Sequence, residues 1–245
     1  MRAAALAFVL GAATTGACAD GVAPGPIEAA WFESPTDIYP HNVLGDLRPA
    51  FVLAARDTAG REIRVDLRDM PGTSVFEDIA PRVVDATGDG SPDIVVVESD
   101  TGQGGQLAIY SLRGGSLVKS AATPYIGTRF RWLAPVAVAD LNGDGTVDLA
   151  YVETPHLGKR LRVWSWAPGG LTEIANLGGL TNHRIGDEAI FGGLRDCGQG
   201  PELVLSDAGW TKLMAVKLSG QTLSARPIFP GTAPQDFTAA LACER

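Results

Sequence analysis

The chain has 245 residues, of which 45% are hydrophobic and 20% charged, and its formal net charge is −8. That balance excludes a disordered chain, which carries more charge and less apolar surface, and the acid excess argues against nucleic acid as a partner. Thirty glycines and sixteen prolines, spread along the whole length, exclude a long coiled coil and point to many short elements joined by tight turns.

Residues 1–19, MRAAALAFVLGAATTGACA, carry one base, no acid and an apolar stretch from Ala3 to Ala13. Ala17-Cys18-Ala19 fits the small-x-small rule for cleavage before Asp20, so the segment reads as a secretory signal peptide. The expected product is a periplasmic or secreted single domain over 20–245; the alternative is a lipid anchor at Cys18. Losing the leader removes Arg2 and moves the formal charge to −9. No later stretch has the length of a membrane span.

Beyond the leader the chain alternates apolar runs with turn signals. Strands are expected near 51–57, 62–67 and 74–79, then 93–99, 106–111 and 116–121. A third set falls near 148–153, 161–166 and 172–175, and a fourth near 202–206, 213–218 and 223–226. Arg113-Gly114-Gly115, Pro168-Gly169-Gly170 and Ser219-Gly220 punctuate them. Helix is expected only as a short turn near 237–243.

Two segments are near copies. VVDATGDGSPDIVVV has its first aspartate at Asp85, and AVADLNGDGTVDLAYV has its first at Asp140. Weaker copies align near Asn42, with Gly45-Asp46 in register, and near Leu194, where Pro201-Glu202 follow. The units therefore start near 42, 85, 140 and 194, a spacing suited to propeller blades. With a strand before each loop, every unit holds about four antiparallel strands. The expected fold is all-β: a small β-propeller of four, alternatively five, blades, or an open fan of such blades. The stretch 27–32 would add an outer strand to the last blade and close a ring, or begin a fan.

Calcium takes six to eight hard oxygens from a flexible loop. In a nine-residue loop, oxygen-bearing side chains at positions 1, 3, 5 and 9 converge, and position 7 offers its carbonyl. The ligand sets are Asp85, Thr87, Asp89, Asp93 with the Ser91 carbonyl, and Asp140, Asn142, Asp144, Asp148 with the Thr146 carbonyl. Thr87 is a short neutral ligand, so the first site should be the weaker. Position 12 is Val96 or Tyr151, inside a strand, which excludes an EF-hand. The plain alternative is that these side chains cap β-turns, and that reading is preferred at Asn42/Asp46 and Asp196.

These D-x-[T/N]-G-D-G-x-x-D loops between β runs resemble the FG-GAP/VCBS-type repeat family, which builds β-propellers such as integrin α-chain heads. The finer pattern is similar to exported bacterial members. The resemblance implies structural calcium at the residues named above, and adhesion or ligand binding more often than catalysis.

Three further segments echo one another: Thr123-Pro-Tyr-Ile-Gly, Thr154-Pro-His-Leu-Gly and Thr181-Asn-His-Arg-Ile-Gly. If the units stack radially, Tyr125, Arg131, Trp132, His156, His183 and Arg184 would line one surface for a protein or glycan partner. The plain alternative is that they fill gaps between units. No nucleophile elbow, zinc-protease helix motif or phosphate loop is present, and Asp37 with His41 forms no informative triad spacing. The expected protein is a non-enzymatic binding or scaffold module; the alternative is a hydrolase, for example glycan-acting, on the same frame. If the leader is cut, Cys197 and Cys243 form an even pair and a disulfide is expected, with a loop-entropy contribution of about 4 kcal/mol.

Overall fold

Residues 25–244 are described by a computed structural model of the protein; the segment 1–19 expected to be a leader, with Cys18, lies outside them. The first unit is β1 (Ile27–Pro35), β2 (Ala50–Asp57) and β3 (Glu62–Asp66). The second is β4 (Ser74–Phe76), β5 (Arg82–Val84), β6 (Asp93–Asp100), β7 (Gly104–Arg113) and β8 (Ser116–Ala122). The third is β9 (Leu133–Ala139), β10 (Asp148–Glu153), β11 (Arg160–Ala167) and β12 (Gly170–Gly178). The fourth is β13 (Leu180–Thr181), β14 (Gly193–Asp196), β15 (Pro201–Asp207), β16 (Lys212–Ser219) and β17 (Thr222–Pro230). Among the described residues there is one α-helix, α1 (Pro234–Leu241), after β17, and one short 3-10 turn at Leu67–Asp69 after β3.

Each later unit is an antiparallel meander. In the second and fourth units the first strand is split: β4 and β5 both pair with β6, and β13 and β14 both pair with β15. In the third unit β9 is one strand that pairs along the whole of β10, with a bulge between Ala150 and Tyr151. The segment 74–79, expected as the last strand of the first unit, instead opens the second. Ser74, Val75 and Phe76 pair with Asp100, Ser99 and Glu98. The strand stops at Phe76 because Glu77 and Asp78 turn inward, where Asp78 accepts from the Val97 amide and from Arg82. One further pair, Ala50 with Phe76, joins the first two units into an eight-stranded sheet. The third and fourth units form separate sheets of four and five strands. The expected strand at 27–32 pairs with β2 of its own unit.

The middle strands are apolar on both faces, and the reason is stacking. Along β6, Ile94 and Val96 face a core shared with Leu53, Phe76 and Tyr110, while Val95 and Val97 face a core shared with Leu149 and Trp164. Along β10 the alternation repeats. Leu149 and Tyr151 face the second unit, and Ala150 and Val152 meet Leu205 and Val216 of the fourth. A period of two sends successive side chains to opposite faces, so each unit buries a face against each neighbour. No single unit could bury both.

The first unit departs from the repeat. Residues 36–49 form a long connection in place of a short loop, and Tyr39, Val43 and Leu44 are buried. Tyr39 accepts a hydrogen bond from the Phe130 amide, and the Val43 carbonyl accepts from the Gly186 amide ahead of β14. Gly45 sits at φ +64°, where an added Cβ would come within 2.8 Å of the Gly186 carbonyl. This connection thus packs its apolar residues against the later units.

Cys197, in the turn after β14, is disulfide-bonded to Cys243 beyond α1. Pro234 at the first turn suits a helix start, and the Asp236 carboxylate accepts the Ala233 amide. Phe237 fixes the helix by stacking on Phe191 and meeting Trp210 edge-on. No helix among the described residues is long and apolar enough to cross a membrane.

Candidate functional site

Two loops and one cavity gather the chemistry. The loops 85–93 and 140–148 enter β6 and β10 in the same way. Asp85 accepts the Gly88 and Gly90 amides, one on each oxygen, and Asp140 accepts those of Gly143 and Gly145. These four glycines all have φ between +71° and +85°, a left-handed backbone that an L side chain resists. Asp89 accepts the Ser91 amide and Asp144 the Thr146 amide. The last aspartate of each loop, Asp93 or Asp148, is buried and holds the start of the loop, accepting the Ala86 and Thr87 amides or the Leu141 amide.

The loops differ in what is left over. Asp93 also accepts from the Ser111 hydroxyl, so both its oxygens are used. Asp148 Oδ1 is buried without a hydrogen-bond partner, as is Thr87 Oγ1. Burial raises the Asp148 carboxyl above its usual range against the opposing pull of the Leu141 amide and the neighbouring Ser165 hydroxyl, and the charges of Asp144 and Asp140 add to the rise. Asp144 is held low by Asn142 and by the Thr146 amide. An all-oxygen donor set of this kind suits a hard cation, and an orphaned buried carboxylate oxygen is what such a cation would relieve. Among the described residues, however, no three acidic, histidine or cysteine side chains converge as a metal cluster. The loop acids are turned onto the loop's own amides.

At the degenerate positions, Asp196 accepts the Gly198 and Gly200 amides, an ordinary aspartate turn beside the disulfide. Asn42 adopts φ +54° in the long first connection.

The cavity has a volume of about 300 Å³. His41, Phe130, Arg131, Trp132 and His156 line it, with Leu157 and Ile185 at its mouth. Two ring pairs form its walls. His41 stacks on Phe130, with centroids 5.3 Å apart, and His156 lies parallel to Trp132 at 6.4 Å. His183 is fully buried behind them, edge-on to Trp132. Of the six residues expected to share a surface, Arg131, Trp132, His156 and His183 are thus together. Tyr125 instead donates to the buried Glu98, and Arg184 stacks on Trp210, 3.8 Å from the ring. His41 and Glu77 join the site without having been singled out for it. Asp37 pairs with Arg48, while His41 Nδ1 lies 2.7 Å from Glu77 Oε1.

The histidine tautomers follow from the hydrogen bonds. His183 Nε2 is 2.8 Å from the Asp187 carbonyl, which can only accept, so Nε2 carries the proton. Burial holds His183 neutral, so its Nδ1 is bare and accepts from His156 Nε2 at 2.9 Å. Burial and the neighbouring His183 and His41 push His156 down to about 4, so at neutral pH its Nδ1 is a bare acceptor. Behind His41, the Glu77 carboxyl is raised by burial and accepts from the Ser99 hydroxyl. Its carbonyl accepts from the Trp132 indole. Two residues lining the cavity carry left-handed backbone, Phe130 at φ +56° and Thr154 at φ +44°. For bulky or branched residues that conformation is costly and clusters at functional sites.

No curated protein matches the chain. An FG-GAP-like repeat is found over residues 85–151, a span that holds both aspartate loops and the strands between them.

Proposed function

We propose that the chain is a non-enzymatic binding or scaffold module of the cell envelope or exterior, braced by structural calcium in two loops. The observation that carries this reading is the pair of loops themselves. Fifty-five residues apart, they repeat the same aspartate clamp and the same left-handed glycines, and one leaves a buried carboxylate oxygen without a partner. Calcium would be held by Asp140, Asn142, Asp144, Asp148 and the Thr146 carbonyl. At the weaker site it would be held by Asp85, Thr87, Asp89, Asp93 and the Ser91 carbonyl. Its contribution would be charge neutralisation between strands, not chemistry. The stacked meanders support a four-unit propeller, with the first connection bridging to the segment before β14.

The alternative is a hydrolase on the same frame. A glycan-acting one would need two free carboxylates about 5 or 9 Å apart; Glu77, the carboxylate that meets the cavity's His41, is tied to His41 and Ser99. The test is a calorimetric calcium titration of the mature protein, with magnesium as control. Two calcium sites of unequal affinity are expected, and no binding of calcium at millimolar concentration would overturn the reading.

A further inference from the structure

All three histidines of the chain meet at one place. His41, on the first connection, and His156, on the turn after β10, line the cavity, and His183, ahead of β14, fixes the tautomer of His156. Three separate segments have thus brought imidazoles to a cavity walled by Phe130 and Trp132. A core built only to fill space has no use for a neutral histidine with a bare nitrogen, or for two strained backbones at the same wall. The mouth is apolar: Leu157 is 65% exposed and Ile185 72%. Arg131, in the cavity lining, donates to the Phe130 carbonyl, and Arg129 lies over the Phe130 ring. Among the described residues neither forms an ion pair, in a chain with net charge −8 whose other arginines are mostly paired.

We propose that this cavity binds a small single-ring aromatic carboxylate, with the ring against the aromatic lining and the carboxylate at Arg131. A hydroxyl on the ring would donate to His156 Nδ1. The volume decides the size class, because about 300 Å³ is at the small end of ligand pockets. A lining of four rings, His41, Phe130, Trp132 and His156, favours a planar aromatic ligand over a saturated one. Unpaired guanidinium groups select the acid over the neutral phenol. The proposal deepens the reading of the chain as a binding module and does not depend on calcium in the loops.

The test is calorimetry of the full mature protein with benzoate, 4-hydroxybenzoate, phenol and cyclohexanecarboxylate, and with a short peptide ending in Phe. The expected order places 4-hydroxybenzoate first, then benzoate, with phenol and cyclohexanecarboxylate at least about tenfold weaker. Arg131→Gln should weaken the two aromatic acids about tenfold and leave phenol unchanged. His156→Gln should remove the preference for 4-hydroxybenzoate over benzoate. Leu157→Glu changes an exposed residue, so the fold should survive, and its carboxylate at the mouth should abolish binding of both acids. Equal binding of benzoate and cyclohexanecarboxylate would overturn the proposal, as would no binding of any acid at millimolar concentration by the folded protein. Preference for the peptide would reassign the cavity to a chain terminus and overturn it as well. Because calcium titration does not probe this cavity, failure here leaves the loop reading standing.

Discussion

The turn at 85–93 and the turn at 196–201 solve one problem in two ways. Each reverses the chain into the second strand of its unit and must satisfy the amides of a tight glycine-rich turn. At 85–93 the work is done by carboxylates: Asp85 takes two amides and buried Asp93 takes two more and the Ser111 hydroxyl. At 196–201 a single exposed Asp196 takes two amides, and Cys197 ties the turn to the end of the chain. The loop at 140–148 belongs with the first: each leaves one buried oxygen without a partner, Thr87 Oγ1 in the first and Asp148 Oδ1 in the second. Electrostatic and covalent ties are thus alternatives at equivalent places, and the loop whose unspent oxygen belongs to a carboxylate has most to gain from a cation.

This contrast can be broken from either side. Replacing Cys197 and Cys243 by Ala should have the largest effect, a loss of about 4 kcal/mol in denaturant unfolding. Asp93→Ala should come next. It strips the acceptor from three donors, and should cost about 3 kcal/mol in the same measurement. Asp148→Ala, measured in chelator, should cost only about 1 kcal/mol, since it removes the bond from the Leu141 amide and, with it, a buried oxygen that has no partner of its own. Added calcium should widen the gap between Asp148→Ala and wild type. Asp196→Ala should also cost about 1 kcal/mol while the disulfide is intact, and more after reduction.

The cavity makes a separate prediction about pH. In the fold His156 is held down to about 4, whereas in the unfolded chain it titrates near 6.5. As pH falls between those values the unfolded chain takes up a proton that the fold refuses, so stability is lost, up to about 3 kcal/mol. The buried Glu77 works in the opposite direction, since its raised carboxyl takes a proton first in the fold. Comparing wild type with His156→Gln cancels the Glu77 contribution, and the variant should show the shallower fall on the acid side.

Most of the strand pattern was legible in the sequence, because strands buried on both faces are unbroken apolar runs and the glycine-rich turns separate them sharply. The expected 148–153 coincides with β10, and 116–121 with β8 extended by one residue. The disulfide was legible from the parity of the cysteines that would remain if the expected leader were cut. What escaped was set by tertiary contact. Ser74–Phe76 reads like the end of one unit but pairs with Glu98–Asp100 of the next. The segment at Asn42 mimics the aspartate loop in its Gly-Asp pair, yet Tyr39, Val43 and Leu44 draw it into the core. Glu77 and His41 lie 36 residues apart, and no local spacing announces their contact.

The most direct test is the thermal midpoint of the protein with calcium and after chelation, in wild type, Asp144→Asn and Asp89→Asn. Ligand binding to the fold alone raises stability, by about 2.7 kcal/mol at a hundred times the dissociation constant. Chelation should therefore lower the wild-type midpoint, and Asp144→Asn should lose more of the calcium-dependent shift than Asp89→Asn. An unchanged midpoint when chelator is added to a demonstrably metal-loaded sample would contradict the account.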